Sequence, residues 1–76
     1  DSLVKSPMNG VVVKISANVG DQVEAGQVIL VLEAMKMENE VAAPMAGKLS
    51  RIEVSAGQVV GAQQLLFEVE PHVDRL

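Results

Sequence analysis

Ala25-Gly26-Gln27-Val28-Ile29-Leu30-Val31-Leu32-Glu33-Ala34-Met35-Lys36-Met37-Glu38-Asn39-Glu40-Val41-Ala42 is the stretch whose reading decides the fold. Ala, Leu, Glu, Met and Lys are good helix formers, so read alone it is a helix of several turns. Gly26 and the run Val28-Ile29-Leu30-Val31 favour a strand instead. Local propensity does not choose between them; a repeat does.

Pro7-Met8-Asn9-Gly10 matches Pro44-Met45-Ala46-Gly47 at an offset of 44 − 7 = 37 residues. At that offset Ile15 meets Ile52, Gly20 meets Gly57, Val23 meets Val60, Ala25 meets Ala62, Gln27 meets Gln64 and Glu33 meets Glu70. Residues 6–33 and 43–70 align without a gap, with nine of 28 positions identical. Such a repeat predicts one supersecondary unit used twice about a pseudo-twofold axis. Gln64 to Glu70, the partner of Gln27 to Glu33, is too short and too strand-like for the helix, so both copies read as strands.

Gly10 to Ala17 is β-branched and bounded by turn residues. Asn18-Val19-Gly20-Asp21 and Ser55-Ala56-Gly57-Gln58 read as turns. The apolar residues after each leading glycine fall at +2, +5 and +7: Val12, Ile15, Ala17, then Leu49, Ile52, Val54. Strict alternation would not change parity between the first two, so each copy should carry a β-bulge or bend there. Val28 to Leu32 and Leu65 to Val69 read as buried strands. The expected architecture is all-β: two antiparallel sheets face to face, each fed by both halves. Residues 34–37 join the copies as a tight hairpin turn with Lys36 at its tip. The counterpart of Lys36 at the same offset is Val73, in the tail, so the termini and the lysine turn are expected at opposite ends.

The 76 residues make one small domain, which buries only roughly 60% of its unfolded surface. There is no cysteine, which excludes disulfides, thiolate metal sites and thiol nucleophiles. A 49% apolar fraction argues against disorder. A net charge of −4 and a single aromatic, Phe67, argue against a nucleic-acid partner. No apolar run approaches a membrane span. Asp1 is not an initiator methionine, so the chain reads as a processed protein or a domain from a longer one. His72 is a lone histidine to which no role is given.

Exposed turn lysines usually serve solubility, and Lys14 and Lys48 are read that way. Lys36 differs. It lies at the symmetry-breaking turn, Met35 and Met37 border it, and methionine is not a turn residue. Glu33, Glu38 and Glu40 surround it with negative charge.

Ala34-Met35-Lys36-Met37 resembles the attachment sequence of biotin carboxyl carrier domains. Glu33 before it, Pro-Met-x-Gly on either side and the Val19-to-Gln27 run fit as well, so the resemblance covers residues 4–70. It implies a flattened β-barrel of two four-stranded sheets, a barrel-sandwich hybrid, in a single domain over residues 1–76. It implies biotin held covalently as an amide on Lys36, with Ala34, Met35 and Met37 around it. The implied partners are a biotin protein ligase, a biotin carboxylase and a carboxyltransferase. The domain moves a tethered carboxyl group between their sites and catalyses no step itself. The implied location is the bacterial cytoplasm or the mitochondrial matrix, and the isolated domain is expected to be a monomer.

Some members of that family carry a protruding thumb in the first half. The gapless repeat leaves no room for one, so the chain looks like the thumbless carriers of acyl-CoA and pyruvate-type carboxylases. Two other readings stay open. Lipoyl domains of 2-oxo-acid dehydrogenases modify a similar lysine but usually place acidic and small residues beside it. An unmodified β-sandwich adaptor is the other.

Overall fold

The computed structural model describes residues 2–71; His72 and Val73 lie outside them, and so do the readings made for those residues. Eight strands form: β1 (Leu3–Lys5), β2 (Gly10–Ile15), β3 (Gln22–Val23), β4 (Val28–Ala34), β5 (Met37–Ala42), β6 (Gly47–Ile52), β7 (Val59–Val60) and β8 (Leu65–Pro71). They make two four-stranded antiparallel sheets, ordered β1-β8-β6-β3 and β5-β4-β2-β7. Each sheet takes strands from both halves of the chain. The ambiguous stretch is strand, turn and strand, because its Leu, Val and Ile side chains are needed in the core shared by both sheets. Among the described residues no helix is long and apolar enough to cross a membrane. Short turns join the strands of the first half, and no inserted protrusion interrupts them.

The parity change marks real bulges. The register shifts between Val12 and Lys14 in β2, and between Leu49 and Arg51 in β6, so Val13 and Ser50 are the extra residues, 37 apart. A second pair of shifts was not anticipated. β4 slips against β5 between Val28 and Leu30, and β8 slips against β1 across the matching Leu66. These bulges let Ile29-Leu30 and Leu66-Phe67 bury consecutive side chains, which a regular strand would send to opposite faces. One expected boundary was too long: β2 ends at Ile15, because Ser16 leaves the ladder and donates to the Ile29 carbonyl at 2.7 Å. Ala17 is still buried.

The core is Val12, Ile29, Leu30, Leu32, Leu49, Leu66, Phe67 and Val69, with no exposed surface on any of them. Each such side chain contributes about 1.5–3 kcal/mol by leaving water. The halves also interlock through hydrogen bonds. The Val12 amide donates to Gln58 O and the Leu49 amide to Asp21 O, both at 2.9 Å, so each half's turn supports the other half's bulged strand.

Four turns share one construction. The Asp21, Gln27, Gln58 and Gln64 amides donate back to Asn18, Glu24, Ser55 and Gly61 at 3.0–3.1 Å. In each, the side chain of the fourth residue accepts from the amide of the first, at 2.9–3.0 Å. That explains an acid or amide at all four positions. The third residue has positive φ, and is glycine in three turns but Gln63 in the last, at φ 71°.

Candidate functional site

Ala34 and Met37 are the last paired residues of β4 and β5, so the turn consists of Met35 and Lys36 alone. Both are left-handed, at φ 52° and 66°. Two consecutive positive φ values are what a type I′ hairpin turn requires, and Asn-Gly is its preferred sequence. Side chains with a Cβ cost about 1–2 kcal/mol per residue in that region. A methionine and a lysine held there are local strain that the paired strands enforce, and such strain concentrates at functional positions.

Each side chain has a definite place. Ala34 is buried at the hairpin's root. Met35 is 93% and Met37 66% exposed, so neither covers the end of the core. Lys36 is exposed, and none of the ion pairs among the described residues involves it. Asn39 Nδ2 donates to the Met37 carbonyl at 3.3 Å, bracing the first residue of β5.

The root is tightly packed. A Cβ on Gly10 would lie 2.7 Å from the Glu33 carbonyl oxygen and 3.4 Å from the Ala34 Cβ. Gly47 meets the Glu70 carbonyl in the same way at the pseudo-symmetric position, at still closer range. Both glycines therefore serve close backbone approach, and neither has positive φ. Gly10 sets the base from which the lysine turn rises.

The register orders the charges too. Glu33 pairs with Glu38 and Val31 with Glu40. Because directly paired residues share a face, all three carboxylates line the outer side of the hairpin. A row runs across the sheet there: Val59 beside Val11, Val11 beside Glu33, Glu33 beside Glu38. β5 is an edge strand, and its glutamates discourage another strand from pairing with it. Among the described residues there is no ligand-sized cavity and no cluster of metal-ligating side chains.

The positive φ values escaped the sequence reading because Met-Lys carries no turn signature. The Glu33–Glu38 pairing could have been found by counting outward from a two-residue turn. Neither Gly10 nor Gly47 needs a special φ, so their role depends on strands far away in sequence.

The fold and the site define a small β-sandwich that raises one exposed lysine on a strained two-residue hairpin. Residues 2–69 match the biotin/lipoyl family described as biotin-requiring enzymes, and the chain belongs to that family, among the carrier domains of biotin-dependent carboxylases. It is 50% identical over 64 residues to a biotin carboxyl carrier protein of Streptococcus mutans, covering 84% of this chain and 49% of that protein. It is 48% identical over 69 residues to the mitochondrial propionyl-CoA carboxylase alpha chain of Sus scrofa, covering 91% of this chain and 10% of that one. The urea carboxylase of Kluyveromyces lactis superposes with a TM-score of 0.84 at 38% identity, over 90% of this chain and 6% of the enzyme. The chain thus spans half or less of the length of each of these relatives.

Proposed function

We propose that this chain, as a single domain, holds biotin as an amide on Lys36 and carries a carboxyl group between a biotin carboxylase and a carboxyltransferase. The observation that carries the reading is the left-handed Met35-Lys36 turn, which lifts a primary amine clear of the sheet in a chain of this family. The site fits the group. Amide formation needs an accessible amine, and Lys36 is exposed, with none of the ion pairs among the described residues involving it.

Lys36 must lose a proton to attack an activated carboxyl, and a biotin protein ligase supplies the activated group and the base. Bound biotin supplies a ureido nitrogen that takes up and releases a carboxyl group. The protein's part is positional. Paired strands hold both ends of the turn, so the partner enzymes meet one backbone geometry and less ordering entropy is lost on docking. Met35 and Met37 offer soft, adaptable apolar contact on either side of the amine. Ala34 packs the root without crowding it. A tether of this kind raises the local concentration of the carried group to about millimolar. The relatives' origins support a bacterial cytoplasmic or mitochondrial setting.

Coexpression with a biotin protein ligase tests the reading. Intact mass and avidin blotting should show one biotinyl group on the wild-type chain and none on Lys36→Arg. An unmodified wild type, or a signal that survives the substitution, overturns it.

A further inference from the structure

The chain has four methionines, and they fall into two environments. Met8 and Met45 are equivalent under the repeat and partly buried, and Met45 packs against the core. Met35 and Met37 flank the lysine at 93% and 66% exposure. Thioether oxidation needs the sulfur to meet an oxidant, so exposure sorts these pairs. The strain of the turn adds to this. At φ 52° Met35 stands beyond the last strand pair, Ala34 with Met37, and its side chain projects into solvent.

We infer that Met35 and Met37 form a reversible oxidation site for hydroperoxides, through which an oxidant controls access to Lys36. The inference rests on the reading of Lys36 as the modified residue. In the step, a methionine sulfur lone pair attacks one oxygen of hydrogen peroxide. The S–O bond forms, the O–O bond breaks, and the departing hydroxide takes the proton from the oxygen now bound to sulfur and leaves as water. The sulfur is oxidised to a sulfoxide and the peroxide is reduced. Two thiols, through a methionine sulfoxide reductase, return the thioether and give a disulfide and water. The sulfoxide replaces a soft apolar contact beside the lysine with a polar, chiral one. The fold is left intact, because the strand pairing of β4 with β5 is made by the backbone and the core holds neither sulfur.

The test exposes the whole chain to graded hydrogen peroxide, maps each methionine by peptide mass, and measures the rate of biotin transfer by a biotin protein ligase. Met35 and Met37 should oxidise several-fold faster than Met8 and Met45. The selectively oxidised protein should keep its circular dichroism and lose kcat/KM for the ligase several-fold, and a methionine sulfoxide reductase should restore it. A chain with Met35→Leu and Met37→Leu, whatever its starting rate, should show no further loss under the same dose. Equal oxidation of all four methionines, an undiminished rate after oxidation at both exposed positions, or loss in the double variant each overturns the inference. Failure of the untreated wild type to take biotin instead overturns the reading of Lys36.

Discussion

Ala34 and Met37 close the β4–β5 ladder as its last pair, which leaves Met35 and Lys36 to reverse the chain with both residues left-handed. Asparagine tolerates that region better than methionine, and type I′ turns favour it at the first position. Met35→Asn should therefore raise stability by about 0.5–1 kcal/mol and lift Tm by several degrees in a domain this small. The same variant should take biotin more slowly, because it loses the apolar contact. A thermal melt beside a ligase assay checks both; a variant that melts lower than wild type contradicts the strained-turn geometry.

Gln63 offers a cleaner test of backbone strain, since it lies outside the lysine hairpin. It holds φ 71° where its repeat partner Gly26 holds 84°. Gln63→Gly should stabilise by about 0.5–1 kcal/mol, and Gly26→Gln should destabilise by a similar amount. Urea unfolding of the two variants, with m unchanged, reads the difference directly.

Gly10 and Gly47 make the same contact at equivalent positions, but only Gly10 lies beneath the lysine turn. Gly10→Val and Gly47→Val should each destabilise by an amount on the order of 1–3 kcal/mol, as the carbonyl of Glu33 or Glu70 is pushed away. Gly10→Ala, the milder change, should also slow biotin transfer more than Gly47→Ala at temperatures where both are folded. Equal effects of the two alanine variants on transfer would show that only stability is affected.

Glu33 and Glu38 face each other across two strands, an unfavourable pairing of like charges. Both are exposed, so screening limits the cost to a few tenths of a kcal/mol. Glu38→Gln should raise stability by about that much, and the gain should shrink as salt is added. Paired denaturation curves at low and high ionic strength measure it; a gain that does not change with salt would point to a cause other than charge.

Much was legible in the chain before any coordinates. The 37-residue offset turned a helix-prone stretch into strands, since the second copy of the sequence could not be a helix there. The parity change at Val12-to-Ile15 and Leu49-to-Ile52 located a pair of bulges. The methionines around Lys36 marked a turn unlike an ordinary solvated one. Each of these is a local pattern, or a pattern repeated in sequence, and needs no knowledge of which strands meet.

Other features depend on meetings between distant residues. The slip at Ile29 and Leu66 exists because the core needs consecutive inward side chains, which strand alternation alone forbids. Gly10 matters because β2 passes against Glu33. The repeat by itself determined that two similar units would share one core and that Lys36 would fall between them. Only the tertiary structure decided how the lysine is held: the pairing of β4 with β5 forces Met35 and Lys36 into a backbone conformation that neither residue prefers on its own.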